Sequence, residues 1–165
     1  MRYYHLNIYI KYFQHLIYNY LKYLDKYHNL LDENITKMET ILQLNVKKSQ
    51  NTEQLLGYEG SISALYWEGL RIILEVPFEK RVTFGAKDIV NSSLNYGYAI
   101  LRSIIANSLT CKGFILHQGI HHKNQQNQFN LADDIIEPFR PFVDLEVYNM
   151  FELEGIDEEY LTKDI

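Results

Sequence analysis

Residues 88–109, DIVNSSLNYGYAILRSIIANSL, set the fold class of this chain. Asp88 stands where a helix N-cap is needed, because a short carboxylate accepts the backbone N–H groups that a first helical turn leaves unpaired. The stretch behind it reads as one helix ending near Cys111.

Working outward from that helix, the rest of the pattern is helical almost throughout. VPFEKRVTFGAKD, residues 76–88, is a loop punctuated by Pro77 and Gly85. Before it, a helix is expected from about Glu53 to Leu74, capped by Asn51 or Thr52 and interrupted by Gly57 and Gly60. KKSQNTEQ (47–54) is a polar joint. Asp32 is read as the cap of a helix carrying Ile35, Met38, Ile41, Leu42 and Leu44. Leu16, Tyr20, Tyr23, Leu24, Tyr27, Leu30 and Leu31 recur at helical spacing and give one long amphipathic helix.

Downstream, KGFILHQGIHHKNQQNQFN (112–130) is polar and reads as a long loop, which in a compact domain is functional or disordered. A last helix runs from Leu131 to about Phe151. Pro138 inside it removes the bond to the carbonyl of Asp134 and should kink it. Neither an internal repeat nor a strand-rich region is visible. The architecture is all-α, a single domain over 1–165, with a helical lead-in (1–50), a core (51–151) and an acidic tail (152–165).

Composition agrees with a folded chain: 47% of the residues are hydrophobic and 22% charged, an ordinary globular balance. The single cysteine, Cys111, excludes an internal disulfide and fits a reducing cytoplasm. It reads as buried or incidental rather than as a nucleophile. The start, MRYYHLNIYIKYFQH, is not a secretory signal. No stretch approaches the roughly 20 apolar residues that span a bilayer. A soluble cytoplasmic protein with no membrane partner is expected. The net charge is −5, but the stretch from Asp144 to the end carries −7 and leaves +2 for the remainder. A weakly basic body permits a nucleic-acid partner without demanding one.

Four places carry residues with chemistry. In LLGYEGSISALYW (55–67), Glu59 lies between two glycines on an otherwise apolar helix. A carboxylate there either faces solvent or is held against a positive partner, since burying it alone is costly; the glycines would let a backbone or a ligand approach. In GIHHKN (119–124), His121 and His122 adjoin and His117 is near. Neighbouring histidines point apart, so at most one of the pair binds a given ion. In LADDIIEPFRPFVD (131–144), Asp134 and Glu137 share a helical face, with Arg140 one further turn along and Asp133 four residues before Glu137. That face is either solvated with an Asp–Arg pair or gathered around a cation. A carboxylate–histidine–carboxylate set suits Mg²⁺ or Mn²⁺ better than structural zinc. Finally, Asn91, Asn95, Tyr96 and Tyr98 are too polar for a buried helix without partners and serve either packing or contact with DNA.

Taken together, three of these segments resemble the CRISPR-associated protein 1 family, the spacer-acquisition endonucleases and integrases. LLGYEGSISALYW resembles the family's "E-G" and "Y-W" motif, KDIVNSSLNYGYAILRSIIANSL its "N-x-x-L-N-Y-G-Y-A-x-L" helix, and GIHHKNQQNQFNLADDIIEPFRPFVD a loop and helix closest to members from type II systems. The resemblance runs from about residue 52 to residue 148 and implies the family's C-terminal helical catalytic domain. The β-rich N-terminal domain of the family is expected to be absent from this chain.

Carried over by motif, the family's metal ligands and catalytic residues become Glu59, His122 and Glu137, with Asp134 on a further acidic position near the metal. The resemblance implies Mg²⁺ or Mn²⁺ as cofactor. It also implies joining of prespacer 3′-hydroxyl ends to the CRISPR repeat by transesterification. Lys80, Arg81, Lys87, Arg102, Lys123 and Arg140 are candidates for DNA backbone contacts, with orientation of Glu137 the preferred reading of Arg140. The implied partners are DNA (prespacer and repeat), a CRISPR-associated protein 2 family member and a second copy of the chain. The alternative reading is a truncated, catalytically incompetent remnant that only binds DNA or a partner protein.

Overall fold

A computed structural model of the chain describes residues 2–21, 28–74 and 78–152, and among these every regular element is helical. The chain divides into two compact units, Met1–Val82 and Thr83–Ile165.

In the first unit, α1 (Arg2–Leu21) and α2 (His28–Thr40) pack on each other and on α3 (Thr52–Leu74). Leu6, Ile10, Phe13 and Ile17 are spaced by three and four along α1, so their side chains form one stripe, and all are buried. That stripe meets Ile62, Tyr66, Leu70 and Ile73, buried on α3. Tyr66 is edge-on to Tyr9 and Phe13, with ring centroids 5.3 and 5.5 Å away. A side chain at Gly69 would collide with the ring of Phe13, so the close approach of the helices here requires a glycine.

Several local expectations change. Asp32 lies inside α2 rather than capping it, because Leu31 and Asn34 on either side of it are already buried in the same helix. Tyr23, Leu24 and Tyr27 lie outside the described residues. After α2 the chain widens into a π-helical turn, Ile41–Asn45, and tightens into a 3₁₀ turn, Val46–Lys48. Met38, Leu42 and Val46 stay buried through this change of pitch, while Leu44 is turned out to solvent. Asn51, not Thr52, supplies the cap of α3, its Oδ1 accepting from Gln54 N at 2.9 Å. Gly57 and Gly60 do not interrupt α3, and among the described residues no other chain segment crowds either of them.

In the second unit, α4 (Ile89–Cys111) packs against α5 (Asn130–Ile136) and α6 (Arg140–Glu152). Asp88 caps α4 as expected, Oδ1 accepting from Asn91 N and Oδ2 from Asn91 Nδ2, both at 2.8 Å. The other end closes in a Schellman motif. Phe114 N donates to Leu109 O and Gly113 N to Thr110 O, with Gly113 in the left-handed region at φ 79°. Cys111, read as buried or incidental, is exposed there.

The polar run Lys112–Phe129 forms the expected loop. Pro138 breaks the last helix into α5, a 3₁₀ turn Glu137–Phe139, and α6. Asp144, grouped by charge with the acidic end, is instead fully buried in this unit. Between α4 and α6 the surface keeps an apolar groove of about 530 Å³ bordered by the exposed Tyr96, Ile100, Ile104, Phe139 and Phe142.

Candidate active site

The second unit builds its most polar constellation where the 112–129 loop returns to α5. Asp134 is 2% exposed and faces the loop. Its Oδ2 accepts from Ile120 N and, at 2.9 Å, from His121 N; its Oδ1 accepts from His122 N at 3.2 Å and lies 2.7 Å from His122 Nδ1.

Burial alone would raise the Asp134 carboxyl. The hydrogen bonds from His121 N, the His122 ring, His122 N and Ile120 N outweigh it and hold the group below the usual carboxylate range. An ionised carboxylate only accepts, so the proton of this contact sits on His122 Nδ1. With Nδ1 so engaged, Nε2 is the ring nitrogen left for other contacts. The His122 side chain is 48% exposed, and it borders a polar pocket of about 390 Å³ shared with His117, Gln118 and Asn124.

The loop leaves little freedom around this contact. A side chain at Gly119 would collide with the carbonyl oxygen of His122 and press on Asn130 and Asp134. Asn130, buried at the start of α5, donates from Nδ2 to His117 O at 3.0 Å and to Asn124 O at 2.8 Å, so it cinches both limbs of the loop.

The two aspartates face different ways. Asp133 binds Arg102 of α4 in two places, Nε–Oδ1 at 2.6 Å and Nη2–Oδ2 at 2.8 Å. Sequence reasoning missed this pair; its only signal was that adjacent helical residues point about 100° apart. Glu137 pairs with Arg140, whose Nε stands 2.9 Å from Glu137 Oε1. Arg140 also lies over the Tyr98 ring, 4.6 Å from its centroid.

The structure thus brings His122 onto Asp134 and Glu137 onto Arg140, within the second unit. Glu59 belongs to the first unit, on α3, half-buried with Oε2 shielded from solvent. Among the described residues of either unit, no three His, Cys, Asp or Glu side chains gather into a metal-holding group.

Of the six basic candidates, Lys80, Lys87 and Lys123 are exposed. Arg81 lies over Trp67, 5.7 Å from the ring centroid, and Arg102 and Arg140 hold carboxylates. The four polar residues of α4 divide. Asn91 and Tyr98 are buried with partners, Asn95 donates to Thr83 O at 3.0 Å, and Tyr96 is exposed. Among the described residues, no helix is long and apolar enough to cross a membrane.

An all-helical fold with a carboxylate-held loop histidine is the class of protein this geometry defines. The family model of CRISPR associated protein Cas1 matches residues 9–164, and the chain belongs to that family. The CRISPR-associated endonuclease Cas1 of Neisseria meningitidis serogroup C is 40% identical over 94 residues, covering 57% of this chain and 29% of the relative. The CRISPR-associated endonuclease Cas1 1 of Francisella tularensis subsp. novicida is 34% identical over 128 residues, covering 74% and 40%. The chain therefore spans well under half the length of these relatives.

A solved partial Cas6-RT-Cas1–Cas2 complex shares the fold, with a TM-score of 0.76 at 24% identity over 96% of this chain and 48% of that one. A casposase bound to integration product is similar at a TM-score of 0.64 and 25% identity, over 96% and 42%.

Proposed function

We propose that this chain carries the catalytic helical part of a divalent-metal-dependent DNA endonuclease and integrase of CRISPR adaptation. The observation that carries the reading is the His122–Asp134 contact, which fixes the imidazole with Nε2 outward in a chain of the Cas1 family. A histidine that ligates a metal generally hands its other ring N–H to a carboxylate, and this arrangement has that form.

The family resemblance supplies the donor set, and two carboxylates with an imidazole are a chemistry that suits a hard divalent ion. Glu59, His122 and Glu137 would hold Mg²⁺ or Mn²⁺, which when bound would polarise a phosphate and stabilise the charge that develops on it. Asp134 is assigned to orientation rather than ligation, since both its oxygens already accept from the loop. Arg140 fixes one oxygen of Glu137.

In the reaction proposed, a prespacer 3′-hydroxyl oxygen bonds to the phosphorus at the end of a CRISPR repeat. The bond from that phosphorus to the repeat-flanking 3′-oxygen breaks. The attacking hydroxyl gives up its proton, and the departing oxygen gains one. Lys87 and Lys123, both exposed, are the lysines assigned to phosphate contacts that do not read sequence. The apolar α4–α6 groove suits a protein partner. The partners proposed are a CRISPR-associated protein 2 family member and a second copy of the chain.

The test is Mn²⁺-dependent strand transfer or cleavage on branched and linear DNA, comparing the chain with Glu59→Ala and His122→Ala. Loss of activity in both variants is expected. Full activity in either would remove that residue from the site. An inactive chain that still binds Mn²⁺ through these residues would favour the binding-only reading.

A further inference from the structure

Arg102 has the composition of a phosphate contact and the surroundings of something else. Its guanidinium meets Asp133 through both Nε and Nη2, donates from Nη2 to Asn127 Oδ1 at 3.1 Å, and lies 4.7 Å from the centroid of the Phe129 ring. Asn127 completes the ring of contacts, giving Nδ2 to Asp133 Oδ2 at 2.6 Å and accepting Phe129 N at 3.0 Å. Both carboxylate oxygens of Asp133 and both side-chain polar atoms of Asn127 are engaged within this cluster, as are Nε and Nη2 of Arg102. A planar, permanently charged fork suits this double engagement, and a lysine could make only part of it.

The cluster joins three segments of different stiffness. Arg102 sits in the middle of α4, a helix closed at both ends by Asp88 and Gly113. Asp133 lies in the first turn of α5, one residue before Asp134. Asn127 and Phe129 belong to the returning limb of the loop that carries His122. α5 is only seven residues long and has no side-chain cap of its own, so little within it fixes where its first turn lies.

We propose that Arg102 is a positioning residue, clamping the loop limb and the first turn of α5 to α4 so that Asp134 meets the Ile120–His122 amides and the His122 ring in one geometry. This rests on the reading of His122 as an active-site residue. The clamp acts through Asp133 and Asn127 and touches no substrate. Arg102 then leaves the set of DNA backbone contacts.

The experiment is amide hydrogen exchange and ¹⁵N imidazole NMR on the full chain, with DNA binding and strand transfer measured in parallel, for Arg102→Gln, Arg102→Lys and Asp133→Asn. Exchange at Ile120, His121 and His122 is expected to speed about tenfold or more in Arg102→Gln, the scale of a lost charge-assisted bond. The Nδ1–H tautomer of His122 should lose its dominance while the amides in the middle of α4 and α6 stay protected. Arg102→Lys should fall between, and Asp133→Asn should match Arg102→Gln, with the double variant no worse than either.

In strand transfer, kcat should fall while the DNA affinity and its salt dependence hold. Weaker DNA binding with a salt slope shallower by about one charge, and unaltered exchange, would overturn the proposal and return Arg102 to the phosphate contacts. Unaltered exchange with unaltered binding would overturn it as well. If the unsubstituted chain has no strand-transfer activity, the proposed function fails but the exchange and tautomer measurements still decide the clamp. A variant that unfolds is set aside for Arg102→Lys, whose intermediate exchange decides the same question.

Discussion

Tyr98 of α4 donates its hydroxyl to the carboxylate of Asp144 of α6, and both side chains are buried. A carboxylate removed from water is tolerated where donors meet it. This contact makes the α4–α6 seam a polar anchor inside an apolar packing. Tyr98→Phe should lower stability by about 1–3 kcal/mol, the cost of stripping a donor from a buried acceptor. Urea unfolding would read it against Tyr96→Phe, at an exposed position on the same helix. Equal midpoints for the two would mean that Asp144 is held well enough by its other neighbours.

The Asp134 carboxyl is held low, and the sign of its contribution to stability follows. Its stabilising bonds are fully present above the unfolded carboxyl value of about 3.9 and are lost as pH falls through the lower folded value. Stability measured across pH 2–5 should therefore decline more steeply for the native chain than for Asp134→Asn. Parallel curves for the two proteins would contradict this.

The glycines of α3 should divide sharply. Gly69→Ala drives a methyl into Phe13, a side chain with no room to retreat, and should destabilise by about 1–3 kcal/mol. Gly57→Ala and Gly60→Ala meet open space and should each stabilise the helix by about 0.5–1 kcal/mol. Thermal unfolding of the three variants checks the ranking. An alanine at 57 or 60 that raised Tm and abolished activity would show that ligand approaches Glu59 over that glycine.

Gly119→Ala should disturb the His122 site more than the fold. The added methyl meets a carbonyl of the loop itself, so the loop must shift away from Asp134. Far-UV circular dichroism should stay native while the His122 ring resonances change their tautomer pattern. A native ring spectrum in that variant would show that the loop absorbs the methyl without moving His122.

Much of this protein was legible from local chemistry. The cap at Asp88 and the break at Pro138 depend on residues within a turn of each other, so the sequence determines them, and the polar composition of residues 112–129 marks that run as a loop. The same holds for the all-helical class and for the motifs that mark the family.

The tertiary structure alone decided which polar residues meet. Asp133 and Asp134 are equivalent in sequence, yet one takes Arg102 and the other the His122 loop, because a step along a helix turns side chains toward different neighbours. Asp144 reads as one more charge near an acidic end, and packing makes it the buried partner of Tyr98. Leu44 reads as core, and the π-helical turn sends it to solvent. Pairings between residues far apart in the chain depend on how helices cross, and helical spacing carries no record of the crossing.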